Sequence, residues 1–220
     1  MDSSGKKCRL IRTSDIAFDI DGIVLDTATE MWRVITQYLD LPWSMSQWTH
    51  YDIGSIVGVD TKTLRPVYEP VLKRTDLPGV PGAADALNGL YYKYGDPLLF
   101  ITARRKQFAD AVRTSLGNLL NPDVEFTVLY TADNHEDEAR NDKLDLLKKY
   151  KVKLFVEDNA LHWEQYIDNG IKIATLDWPW TFGQVMELRS RGKKIEMYSD
   201  WRGLHSYLDK FVENVNGRNK

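Results

Sequence analysis

The sequence predicts an α/β fold, a doubly wound parallel sheet with helices on both faces and a small helical insertion after its first strand. Three observations predict it. Short, almost wholly apolar runs (LLFIT, KLFVE, IKIATL) alternate with amphipathic stretches of helix length, the pattern of parallel strands buried on both faces and joined by right-handed crossovers. The 220 residues exceed the roughly 150 expected of a single domain, and the surplus falls in one stretch near the start. Hydrophobic residues at 43% with 14 glycines make an ordinary globular composition, which excludes disorder and low-complexity scaffolding.

The elements follow in order. DIAFDI (15–20) is an apolar segment closed at once by Asp-Gly, hence a buried strand ending in a turn. In TATEMWRVITQYL, Thr27 and Glu30 have capping-box spacing and Trp32, Ile35 and Leu39 recur at helical spacing. Residues 41–80 are rich in Trp, Tyr, Pro and Gly without strand rhythm, and they read as short helices and loops. With the preceding helix they form an inserted unit, 27–80, which interrupts a core made of 1–26 and 81–220. PGAADALNGLYYKY is a helix with proline near its start and Gly95 just past its end. A strand at 98–102, a helix at 108–120 ending before Pro122, and a strand at 126–130 come next. An acidic loop at 133–138, a helix at 139–150, a strand at 153–157, a helix at 161–167 and a strand at 171–176 complete the alternation. The tail ends in a helix over 201–215, capped by Ser199 or Asp200.

Charge and composition exclude several function classes. A net charge of −3 at neutral pH disfavours a dedicated nucleic-acid or anionic-membrane binder. No apolar run approaches the roughly 18 residues of a membrane span, and the first residues lack the apolar core of a secretory signal. Cys8 is the single cysteine, so neither an internal disulfide nor a cysteine zinc site can be built. A soluble protein of the reducing cytoplasm is expected.

In an open parallel sheet, ligands bind beyond the carboxyl ends of the strands. The first strand delivers Asp19 and Asp21 there, followed by Gly22. The strand at 98–102 delivers Thr102, and the strand at 153–157 delivers Glu157, Asp158 and Asn159. Four carboxylates converging on one rim repel one another and resist desolvation. A hard divalent cation relieves both, and so few protein ligands suit Mg²⁺ retaining water. Lys143 lies three, four and seven residues before Leu146, Leu147 and Tyr150 and so shares their face, whereas Asp145, Lys148 and Lys149 fall elsewhere. An inward lysine needs a buried anion. Cation, carboxylates, lysine and threonine hydroxyl together suit a phosphoryl group.

FDIDGIVLD, FITAR, Lys143 and LFVEDN, in that order, resemble the four motifs of the haloacid-dehalogenase-like phosphohydrolases, over roughly residues 15–176. The resemblance implies a Rossmann-like core, with Asp19 as nucleophile forming an aspartyl-phosphate. It implies Asp21 as the acid that protonates the leaving oxygen and then the base that activates water. Mg²⁺ would be held by the side chains of Asp19 and Asp158 and the backbone carbonyl of Asp21, with Thr102 and Lys143 on the phosphoryl oxygens. An aspartate at position 21 favours ester hydrolysis over the family's other chemistries. Glu157 departs from the family's more frequent aspartate or glycine and is expected to support the site from behind. The insertion after the first motif corresponds to a helical cap. TLDWPWT and YSDWRGLHSYL are similar to the closing segments of the 5′(3′)-deoxyribonucleotidase-like group, which implies nucleoside 5′-monophosphates as substrates. A sugar-phosphate or other small-metabolite phosphatase, and a phosphate- or nucleotide-binding module without turnover, are the alternatives.

Each residue also has a plainer reading. Asp26 is a helix-start residue, Lys143 a lysine whose head reaches water, and Trp32, Trp43, Trp48 and Tyr51 either a small core or a surface for a nucleobase. Arg104 and Arg105 either touch a phosphate or face solvent. His50, His135, His162 and His205 show no ligand spacing, and the run HEDE at 135–138 is a solvated loop.

Overall fold

A computed structural model of the chain describes residues 15–131 and 143–217, with side chains to residue 213. Cys8, His135, the acidic run and the start of the helix expected from residue 139 lie outside the described residues. Six parallel strands form one sheet in the order β3-β2-β1-β4-β5-β6. They are β1 (Ile16–Phe18), β2 (Leu98–Thr102), β3 (Phe126–Tyr130), β4 (Leu154–Val156), β5 (Lys172–Leu176) and β6 (Ile195–Tyr198). Strand order reverses at β1, whose neighbours are β2 and β4, so the crevice beyond its carboxyl end is the natural ligand position.

Alternation along the strands splits the core into two layers. Ile16, Phe18, Phe100 and Val156 face one way, under α4 (Ala83–Tyr94), α5 (Ala109–Leu119) and α9 (Trp201–Gly217). Ala17, Leu99, Ile101 and Phe155 face the other, under α6 (Leu144–Lys149), α7 (Trp163–Asp168) and α8 (Pro179–Ser190). The doubly wound α/β architecture read from the sequence is the observed one. Two elements were not legible beforehand, α8 and β6. Helix α8 buries Trp180, Thr181, Val185 and Leu188 but exposes Phe182 and Met186, so no single apolar stripe marks it. Strand β6 is a four-residue edge strand with one buried residue.

Residues between β1 and α4 fold into α1 (Thr27–Tyr38), α2 (Ile53–Val57) and α3 (Thr61–Leu72). Helix α1 starts differently from expectation. Asp26 is its N-cap, accepting from the Thr29 amide at 3.2 Å, while Thr27 is already helical and buried. The Thr27–Glu30 capping box is therefore not formed, because a carboxylate one residue earlier takes the orphan amide. Helix α3 runs through Pro66 and Pro70, which hid it in the sequence. Ala28, Trp32, Ile35, Trp48, Ile53 and Leu64 form a third apolar cluster, but Trp180 of α8 belongs to it. The entering and returning chains of this segment lie side by side, with Asp26 N donating to Pro78 O and Val80 N to Val24 O at 2.8 and 2.9 Å. Among the described residues no helix is long and apolar enough to cross a membrane.

Candidate active site

The carboxyl end of β1 is held by its neighbours rather than by its own length. The Asp19 amide donates to Val156 O at 2.8 Å, and Ile20 O accepts from both Val24 and Leu25. The chain can turn so sharply because Gly22 adopts φ +72°, and because a Cβ there would stand 2.3 Å from Asp158 Oδ2. Two tryptophans from the tail pin the same loop. Trp178 Nε1 donates to Gly22 O at 2.6 Å and Trp201 Nε1 to Ile23 O at 2.8 Å. The segments TLDWPWT and YSDWRGL thus act on the first motif from far along the chain.

Within this frame Asp19, Lys143, Glu157 and Asp158 are all buried and meet. Lys143 Nζ lies 2.8 Å from Asp19 Oδ1 and 2.6 Å from Glu157 Oε2, so its head is inside rather than in water. It stands at the N-terminus of α6, sharing a face with Leu147, while Tyr150 is exposed; the inward face is shorter than the sequence spacing implied. Glu157 is fully committed. Its Oε2 takes Lys143 and its Oε1 accepts the amides of Asp158 and Asn159 at 3.1 and 3.0 Å. Asp158 is the opposite case, with a buried Oδ1 that has no hydrogen-bond partner. Asp19, Glu157 and Asp158 each place one oxygen within 4.8 Å of the others. Burial and the neighbouring Glu157 charge push the Asp19 and Asp158 carboxyls well above the usual carboxylate range, against the pull of Lys143. Burial works against the lysine too, but Asp19 and Glu157 outweigh it and keep the ammonium charged.

Asp21 belongs to a different arrangement. Its carboxylate is gripped by Arg104, with Nε at 2.9 and 3.1 Å and Nη2 at 2.6 Å. Burial would raise this carboxyl, but the guanidinium charge and its hydrogen bonds, with help from Thr27, bring it below the ordinary value. Arg104 and Arg105 are both buried, so neither faces solvent, and neither lines the two cavities described next. Thr102 is fully buried at the end of β2, where its hydroxyl accepts the Arg104 amide at 3.0 Å. Ala103, one residue on, forms the cavity wall.

A small polar cavity of about 40 Å³ is bounded by Asp19, Asp21, Lys143, Glu157, Asn159 and His162, among others. His162, given no role from sequence, reaches it because the turn after β4 brings it back. A larger cavity of about 270 Å³ adjoins it, lined by Asp21, Gly22, Asp158, Trp48, Tyr51, Tyr68 and Trp180 among others. Of the four aromatics singled out by sequence, Trp48 and Tyr51 reach this cavity. Trp32 and Trp43 stack behind them, with ring centroids 6.5 Å apart and Trp32 5.7 Å from Trp48.

No family model matches the sequence, and neither does any curated protein. Solved structures do match. A haloacid-dehalogenase-like protein of unknown function from Agrobacterium tumefaciens aligns with 90% of this chain and 98% of its own at TM-score 0.60 and 13% identity. The fold is the haloacid-dehalogenase-like fold. A family hydrolase from Deinococcus radiodurans, solved with bound phosphate and sodium, covers 95% of this chain and 97% of its own at TM-score 0.59 and 14% identity. A hydrolase of this family from Streptococcus pneumoniae matches at TM-score 0.53 and 14% identity, over 88% of this chain and 97% of its own.

Proposed function

We propose that this chain is a Mg²⁺-dependent phosphomonoesterase acting through an aspartyl-phosphate on Asp19, with nucleoside 5′-monophosphates, ribo or deoxy, as substrates. One observation carries the reading. Asp19, Lys143 and an unpartnered Asp158 carboxylate oxygen are buried together at the switch point of the sheet, in a fold whose Deinococcus representative binds phosphate. The donor set fits a hard divalent cation, because both oxygens of Glu157 are taken while Asp158 is left with an orphaned one. The side chains of Asp19 and Asp158 and the carbonyl of Asp21 would hold it. When bound, Mg²⁺ supplies positive charge against the phosphoryl oxygens and lets two buried carboxylates stay ionised together.

An Asp19 oxygen attacks phosphorus in line, and the bond to the leaving oxygen breaks as that oxygen takes a proton from Asp21. A water then attacks the aspartyl-phosphate, Asp21 takes its proton, and phosphate leaves with Asp19 regenerated. Asp21 held by Arg104 is ionised, the form the second step needs. For the first step it takes up the proton that a monoanionic phosphate ester brings, so the proton passed to the leaving oxygen comes from the substrate. Lys143 offsets the charge of the transferred group. Thr102, its hydroxyl oxygen accepting the Arg104 amide, would be a further donor to that group.

The nucleotide assignment is supported by the walls of the larger cavity. Trp48, Tyr51, Tyr68 and Trp180 line it, Tyr51 and Asp21 border both cavities, and about 270 Å³ is near the lower end of small-molecule pockets. That size suits a nucleoside. Residues 27–80 act in this reading as the cap over a core of 1–26 and 81–220, and a cytoplasmic setting goes with the single cysteine in the sequence. The test is a screen of nucleoside monophosphates beside sugar phosphates, scored by released phosphate, with and without Mg²⁺. Turnover of nucleoside 5′-monophosphates that needs Mg²⁺ and vanishes in Asp19→Asn supports the proposal. Hydrolysis of sugar phosphates alone transfers the chemistry to another substrate, and stabilisation by nucleotides without any hydrolysis marks a binding module.

A further inference from the structure

Arg104 is the least expected residue of this site. Its side chain is 2% exposed, it lines neither cavity, and all its recorded bonds go to three places. Nε and Nη2 grip the Asp21 carboxylate. Nη2 also donates to Thr27 Oγ1 at 3.0 Å, and Nη1 donates to Leu72 O at 3.2 Å. Thr27 is the first residue of α1 and Leu72 the last of α3, so these are the two ends of the helical segment. The arginine itself cannot shift freely, since its amide is tied to Thr102 at the end of β2. One guanidinium therefore joins Asp21 to both roots of the helical segment from a fixed point on the sheet. Planar, five-donor geometry is what makes such a joint possible, and a lysine could not reproduce it.

We propose that Arg104 is a positioning residue, through which the helical segment sets where the Asp21 carboxylate stands relative to the leaving oxygen. The inference rests on the phosphatase reading and adds to it a dependence on a residue that never touches substrate. Arg105, next along the chain, is the natural control. It is equally buried but pairs with Glu69 at 3.8 Å and lies over the Phe108 ring at 5.5 Å.

The experiment compares Arg104→Gln, Arg104→Lys and Arg105→Gln with the wild type in single-turnover release of the leaving group. Two esters are used, p-nitrophenyl phosphate, whose leaving group needs no proton, and thymidine 5′-monophosphate, whose alkoxide does. Single-turnover release is read because both esters pass through the same later hydrolysis. A general acid is worth roughly 10²–10⁴ in rate. Mispositioning one is expected to slow the nucleotide by about tenfold to a hundredfold, with the aryl ester within about threefold of wild type. Arg104→Lys should recover only part of the loss, and Arg105→Gln should show no difference between the esters. Equal losses for both esters in Arg104→Gln and Arg104→Lys, or no loss in either, would overturn the positioning role while leaving the phosphatase reading intact. A wild-type chain that releases phosphate from no ester, sugar phosphates included, is a separate result, which removes the phosphatase reading and this inference together.

Discussion

Two buried cations meet carboxylates at the carboxyl edge of this sheet, and they do so in opposite ways. Lys143 serves a crowded centre, where Asp19, Glu157 and Asp158 face a single ammonium group and one carboxylate oxygen has no partner at all. Arg104 serves a balanced one, a single carboxylate in a fork whose remaining donors go to a hydroxyl and a carbonyl. Buried polar groups ordinarily find partners. A centre that falls short in positive charge is therefore built to receive more, whereas a saturated one is built to hold position. In the proposed mechanism the lysine side would carry the nucleophile and the metal, and the arginine side would hold the acid–base carboxylate in position.

The largest effect should come from the crowded centre. Asp19→Asn removes the proposed nucleophile and should lower phosphate release by about a thousandfold or more, and chelation of the proposed Mg²⁺ should do the same; a variant with substantial turnover would take the chemistry away from Lys143's neighbours. Next comes stability, read from urea unfolding. Lys143→Met strands Asp19 and Glu157 in the interior and should cost about 3–5 kcal/mol. Arg104→Met should cost less, roughly 1–3 kcal/mol, because the Asp21 side chain is 30% exposed and water can replace its partner. The reverse order would break the comparison.

A pH experiment sharpens it further. Asp19 and Asp158 titrate above the ordinary carboxylate range, so above that range the folded chain holds protons that the unfolded chain has released. Stability of the metal-free protein should therefore fall as pH rises through that window. Asp21 is depressed, and its contribution is present above the ordinary value and lost as pH falls through its own. If a cation takes the place of the bound protons, as proposed, the rise in melting temperature with Mg²⁺ should be larger at about pH 7.5 than at about pH 5.5. An equal rise at both would detach the metal from these carboxylates. The smallest expected effect is that of Trp178→Phe, which removes the N–H on Gly22 O at about 1–2 kcal/mol and should raise KM more than it lowers kcat.

Much of the fold was open to a reader of the sequence, for a local reason. Strands buried on both faces must be apolar throughout, so β2, β4 and β5 announce themselves, and the helices between them carry their own periodicity. Helix α8 escaped because neighbours cover parts of two of its sides, and α3 because its prolines mimic a loop. At the site, motif order points to Asp19, Asp21, Thr102, Lys143 and Asp158 as candidates. The structure brings Asp19, Lys143 and Asp158 together, sets Asp21 on the wall of the small cavity that Asp19 and Lys143 also line, and leaves Thr102 buried beside it. The sequence offers Arg104 only as a phosphate contact or a solvent-facing residue, since nothing beside it in the chain hints at Asp21, 83 positions earlier. Trp178 and Trp201 stand out as a pattern, but the carbonyls they bind lie more than a hundred residues away.

What the sequence determined by itself is the set of groups delivered to the sheet's edge, because strand ends and their turns are written in adjacent residues. Which carboxylate receives which cation was decided only by the tertiary structure. Pairing energies depend on separation and on exclusion of water, and both arise when β1, β2, β4 and the start of α6 come together.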